Sequence, residues 1–152
     1  MEIDFSKTKV LKSTEDLMIG NIIQYKKGHL AKIEELTDTG LVSVTGIESS
    51  YINGRYNIDN WYGVPLSEEV LKLLGFYISP SLHNGTIKNT LYLLKENNLE
   101  ALLSIKALLS ITRHEEIGTY YLDGFGKIEY LHELQNYVKL RFKTNLNFKT
   151  DN

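Results

Sequence analysis

Between Ile22 and Ile47 the chain carries three short apolar runs, Ile22-Ile23-Gln24-Tyr25, Leu30-Ala31-Lys32-Ile33-Glu34-Glu35-Leu36 and Leu41-Val42-Ser43-Val44-Thr45-Gly46-Ile47. They are separated by Lys27-Gly28-His29 and Thr37-Asp38-Thr39-Gly40. The runs are short and rich in strand-forming side chains, and the breaks have the composition of tight turns. This pattern predicts a meander of short antiparallel strands. The next stretch, Ser50 to Ile58, places Asn53-Gly54 between two Tyr/Ile runs, and Asn-Gly supplies the positive φ angles that a two-residue hairpin requires. A small twisted barrel of four or five strands over residues 17–64 is expected, preceded by a polar arm over residues 1–16.

The remainder of the chain reads as a mixture of helix and strand. Pro65 to Phe76 predicts one short helix, with Ser67 as its cap, Glu68 and Glu69 at the positive end of its dipole, Leu66 stapled onto Leu71, and Gly75 as its stop. Leu71 and Leu74 belong on its buried face. From Leu99 to Ile111 the apolar residues fall all round a helical wheel, but Leu103, Ile105, Ala107, Leu109 and Ile111 alternate along the chain, so a strand is predicted. Lys95-Glu96-Asn97-Asn98 would turn a hairpin into it, and Glu115-Glu116-Ile117-Gly118 would lead to a third strand, Thr119-Tyr120-Tyr121-Leu122. A last helix is expected from about Lys127 to Lys143, with Leu131, Leu134, Val138 and Phe142 along one face, followed by a frayed polar tail over residues 145–152. The fold class is therefore α+β: a small N-terminal β-barrel over residues 17–64, then a connecting helix, a second antiparallel sheet and a C-terminal helix packed on it over residues 65–144.

A chain of 152 residues can bury a core without staples, and 42% hydrophobic with 24% charged residues is an ordinary globular composition. A formal net charge of −2 gives no global positive field for a phosphate backbone. The absence of cysteine excludes disulfides, thiol catalysis and cysteine-ligated zinc or iron–sulfur sites. The N-terminus carries acids where a signal peptide is basic, and no segment has the apolar length of a bilayer span. A soluble, cytoplasmic protein without membrane association is the expectation.

Two groups of side chains stand out as candidate sites. The first is His132, Gln135 and Asn136, within about one helical turn of the last helix, where His132 and Gln135 share a face. They can form a polar grip on a ligand, or they can satisfy backbone groups of an adjacent sheet or loop. The second is Tyr51, Arg55, Tyr56, Trp61 and Tyr62, interleaved with Asn53, Asn57 and Asn60. Amphipathic rings with one Arg suit stacking on a base, with phosphate contact, or packing against a partner protein; equally, they suit the core and surface of a small barrel. The four histidines show no metal-ligand spacing, and no nucleophile elbow, Walker loop or dinucleotide fingerprint is present. Asp123-Gly124-Phe125-Gly126 reads as a turn, and Lys139, Arg141, Lys143 and Lys149 as a mildly basic surface. No cofactor, metal or catalytic constellation is expected.

Three local patterns occur in order: Asp16-Leu17-Met18-Ile19-Gly20-Asn21-Ile22-Ile23, Val64-Pro65-Leu66-Ser67-Glu68-Glu69-Val70-Leu71 with Gly75-Phe76, and Ile128-Glu129-Tyr130-Leu131-His132-Glu133-Leu134-Gln135-Asn136-Tyr137. Together they resemble a group of small uncharacterised proteins of Bacteroidetes, their mobile elements and phages. The resemblance covers the barrel start and the two helices but not residues 80–118. It implies a phage or mobile-element setting and transfers no catalytic residues. The barrel itself resembles Tudor- or KOW-type modules. The functional expectation is a non-enzymatic binding protein that sequesters a nucleotide-type small molecule, as anti-defence sponges do. The alternatives are a protein-interaction module that inhibits or bridges a host protein, and weak nucleic-acid binding by the barrel. Monomer and homo-oligomer both remain open, because an interface and a core use the same residues.

Overall fold

The computed structural model describes residues 10–11, 13–25, 28–48, 50–79, 89–94, 109–115 and 117–149. The chain is α+β, as its patterning predicts. It divides into two compact units, Met1–Pro65 with Tyr130–Tyr137, and Leu66–Glu129 with Val138–Asn152. The sequence reading places all of 65–144 together, whereas the first turns of the last helix cluster with the barrel.

The first unit is a curled antiparallel half-barrel of β1 (Ile22–Tyr25), β2 (His29–Leu36), β3 (Leu41–Gly46), β4 (Gly54–Asn57) and β5 (Trp61–Gly63), in the order β4-β3-β2-β1-β5. The turn between β2 and β3 forms where Thr37 both donates to and accepts from Leu41, and Gly40 adopts a φ of 82° that a side chain would oppose. A register shift between Ile33 and Glu35 breaks the alternation of β2 and adds curl. Ile23, Ala31, Ile33, Val42, Val44 and Trp61 fill the concave side. The Asn53-Gly54 hairpin predicted from sequence does not form. Ser50–Ile52 is instead a single 3-10 turn, and Gly54 opens β4. Asn53 keeps a negative φ and uses its side chain to close the loop, accepting from the Gly46 N–H at 2.7 Å. The expected N-terminal arm is not loose at its end: Val10 bridges to Tyr62, Leu11 N–H donates to the Trp61 carbonyl at 2.9 Å, and Leu11 is buried in the core cluster.

The second unit holds α1 (Glu68–Leu73) and a five-stranded antiparallel sheet of β6 (Phe76–Ser79), β7 (Asn89–Leu94), β8 (Ser110–His114), β9 (Thr119–Leu122) and β10 (Gly126–Ile128), in the order β10-β9-β8-β7-β6. The Ser67 hydroxyl accepts from the Val70 N–H at 3.2 Å, Leu71 and Leu74 are buried, and Gly75 takes a φ of 98° where the helix stops. The predicted strand overlaps the start of β8, and Ile111 is fully buried. Its partner register differs from the reading, because Leu93 pairs with Ser110 rather than with a residue just past a turn at 95–98. The predicted turn at 95–98 and the alternation through 103–107 lie outside the described residues.

The last helix starts later than its apolar spacing suggests. Gly126–Ile128 pairs with Leu122, Tyr121 and Tyr120 as a strand, and α2 runs Leu131–Phe142. Glu133 fixes that start, since its carboxylate accepts from the Tyr130 N–H at 2.9 Å, the reach-back half of a capping box. The tail is not wholly frayed either. Leu146 is buried, and the Lys149 N–H donates to the Leu73 carbonyl at the end of α1 at 2.8 Å.

Candidate functional site

Ladder register decides which side chains meet. Tyr25 pairs with His29 on β2 and with Trp61 on β5, so the three share one face of the half-barrel sheet. Two further rings extend this row. Tyr56, opposite the core residue Val42, packs on Tyr25 with centroids 6.0 Å apart and edge-on to Trp61 at 5.4 Å. Tyr25 and Trp61 lie 5.3 Å apart and tilted. At the other end Tyr51 sits edge-on to His29 at 5.4 Å, and the Tyr51 hydroxyl and His29 Nε2 share a hydrogen bond of 2.8 Å. The separations and tilts are those of favourable aromatic pairs. Exposure is graded along the row: Trp61 is fully buried, Tyr25, His29 and Tyr56 are half-buried, and Tyr51 is 66% exposed. Ile47, whose N–H donates to the Leu30 carbonyl beside His29, is also exposed.

The aromatic group expected from sequence is therefore only partly brought together. Tyr51 and Tyr56 belong to the row. Trp61 forms its floor and offers no surface to a ligand; its indole N–H has no acceptor among the described residues, so its place rests on ring packing. Arg55 and Tyr62 alternate with Tyr56 and Trp61 and point to the opposite face. Arg55 is paired there with Glu35 at 3.5 Å, both side chains being 64% exposed. Tyr25 and His29 were not among the residues expected from sequence.

Gln135 and Asn136 perform the backbone-satisfying role, whereas His132 packs by its ring. Gln135 Oε1 accepts from the Ile22 N–H at 2.8 Å, and its Nε2 donates to the Gly20 carbonyl at 3.3 Å. Asn136 Nδ2 donates to the Asp16 carbonyl at 2.7 Å while its Oδ1 accepts from Asn21 Nδ2 at 2.9 Å. Asn21 in turn caps the preceding turn by accepting from the Met18 N–H at 2.7 Å. The His132 ring stacks nearly parallel on Tyr130, 5.7 Å away, and both rings lie against Gly63. A Cβ at Gly63 would stand 2.8 Å from Tyr130 and 3.4 Å from His132, so glycine is required for this approach. Beside it Gln24, fully buried, donates through Nε2 to the Gly63 carbonyl at 3.0 Å.

Among the described residues no group of three or more His, Asp or Glu side chains is placed to hold a metal ion, and no helix is long and apolar enough to cross a membrane. No protein-family model matches the chain, and no curated protein or solved structure shows significant similarity to it.

Proposed function

We propose that the half-barrel unit is a non-enzymatic binding module that takes a protein partner on its aromatic rim. The supporting observation is the graded row from buried Trp61, through half-buried Tyr25, Tyr56 and His29, to exposed Tyr51, with exposed Ile47 beside it. A rigid aromatic floor with one protruding ring is the anatomy of an interface centre: the exposed ring inserts, and the half-buried rings fix its position at little entropic cost. In the phage or mobile-element setting that the resemblance implies, the partner is a host protein in the bacterial cytoplasm. Capture on the tagged full chain, compared with Tyr51→Ala, tests this. A stoichiometric partner retained by the wild type and lost by the variant is the expected result; a partner retained equally by both refutes the assignment of the rim.

Sequestration of a nucleotide-type small molecule is the second reading, favoured by the accessible ring of Tyr51. It needs a cation for the phosphate, and Arg55 lies on the other face in an ion pair with Glu35. Calorimetry of the folded protein against linear and cyclic nucleotides decides it, and absence of heat at high nucleotide concentration removes it. For nucleic acid, the exposed cations Lys32 and Arg55 are each matched by a carboxylate, Glu34 and Glu35, which lowers the local positive field.

A further inference from the structure

The loop that presents Tyr51 is closed by one side chain. Asn53 Oδ1 accepts from the Gly46 N–H at 2.7 Å, joining the end of β3 to the start of β4 across the intervening 3-10 turn. Asn53 and Gly54 are both exposed, and Gly54 has a φ of 149°, a backbone conformation that side chains rarely adopt. We propose that Asn53-Gly54 is a site of spontaneous covalent modification, a deamidation that resets the loop carrying Tyr51.

The reaction uses groups already present together with water. The Gly54 amide nitrogen, giving up its proton to solvent base, attacks Asn53 Cγ. A C–N bond forms, and negative charge develops on Oδ1. Nδ2 then takes a proton and leaves as ammonia, which closes a five-membered cyclic imide. Water adds to either imide carbonyl and reopens the ring, giving aspartate when the Cγ–N bond breaks and isoaspartate when the backbone C–N bond breaks. The net change is one water gained and one ammonia lost, with no redox step.

Two features set this asparagine apart among the described residues; the sequence holds a second Asn-Gly pair, Asn84-Gly85, outside them. Glycine at the following position has no Cβ to obstruct the attacking nitrogen. The other described asparagines with described side chains precede bulky residues: Ile22, Ile58, Trp61, Tyr137, Leu146 and Phe148. In addition, the Gly46 N–H points at Oδ1, where the charge develops, and a preorganised backbone donor there stabilises the tetrahedral intermediate. The isoaspartate product inserts a methylene into the backbone at the entrance to β4. That displaces the acceptor from Gly46 and releases Tyr51 from His29. The functional meaning of this step rests on the rim being the binding surface; the chemistry does not.

The full-length protein, aged at mildly alkaline pH, is digested with trypsin, which leaves Asn53 as the one asparagine in the peptide 33–55. The expected result is a gain of about one dalton in that peptide, with an isoaspartyl form, before any other peptide of the described residues changes. Asn53→Gln abolishes it. No change in the native protein, while the urea-unfolded chain converts fully, overturns the proposal. So does an aged protein in which the His29 ring resonances stay at their starting shifts instead of moving toward those of Tyr51→Phe. Modification that proceeds as stated while partner capture is unaltered refutes only the assignment of the rim.

Discussion

Gln135→Met removes an amide of similar volume from the clip between α2 and β1. Ile22 is 2% exposed, so its N–H would lose the Gln135 acceptor where water cannot replace it. A buried donor left unsatisfied costs about 1–3 kcal/mol. Gly20 is only partly buried, so its carbonyl can turn to solvent and adds little to the loss. The expected loss is therefore about 2 kcal/mol, which for a chain of this size corresponds to a fall in Tm of about 4–8 °C. Trp61 is the sole tryptophan and is fully buried in the unit that contains both partners of the bond, so its emission in urea reports the relevant transition. The Ile22 amide should also exchange faster in the variant. Gln135→Glu adds a directional control. At neutral pH its carboxylate keeps an acceptor for Ile22 but sets a second oxygen against the Gly20 carbonyl. Burial and that repulsion raise its folded pKa, so stability is present at acidic pH, where a protonated carboxyl can donate to Gly20, and is lost as pH rises. A Gln135→Met protein within about 0.5 kcal/mol of wild type, with unchanged exchange at Ile22, would refute the reasoning.

Gly63→Ala should destabilise the half-barrel by about 1–3 kcal/mol, because the new Cβ meets Tyr130 at 2.8 Å; combined with Tyr130→Ala, the two losses should be less than additive in urea titrations. Ser67→Ala should cost about 1 kcal/mol through the lost cap on α1, visible as faster amide exchange at Val70. Tyr51→Ala should leave the Trp61-monitored midpoint within about 0.5 kcal/mol of wild type, since the ring is mostly exposed; a larger shift would make Tyr51 a structural residue rather than a contact residue.

The parts of the fold that sequence disclosed are those decided locally. Turn composition separates β1, β2 and β3, and Ser67 with Gly75 brackets α1, because caps and turns are chosen by neighbouring residues. The parts it missed depend on distant partners. Lys127 and Ile128 fit a helical stripe as well as a strand, and pairing with Tyr121 and Tyr120 decides for strand. Asn53-Gly54 has hairpin chemistry, but the Gly46 N–H captures the side chain and the loop closes another way. His29 reads as a turn residue, yet it is the first residue of β2, and its place opposite Tyr25 follows only from register. The signal was present in the short spacing from Tyr25 to His29 around one glycine, which is hairpin spacing.

His132, Gln135 and Asn136 show why a polar cluster on a helix cannot be assigned from sequence. A ligand grip and a backbone clip demand the same donors and acceptors at the same helical spacing, and differ only in what lies opposite. Here the opposite group is the first residue of β1. β5 ends at Gly63, which pairs with Ile23, so the Ile22 N–H has no strand residue to receive it. Gln135 takes the place of that missing carbonyl, and Asn136 does the same for the turn before it by bonding Asp16 and Asn21. A half-barrel whose last strand is three residues long leaves ladder groups open at its edge, and buried ladder groups require partners. Side-chain amides from the start of α2 are that partner, which makes the helix start part of the sheet's hydrogen bonding.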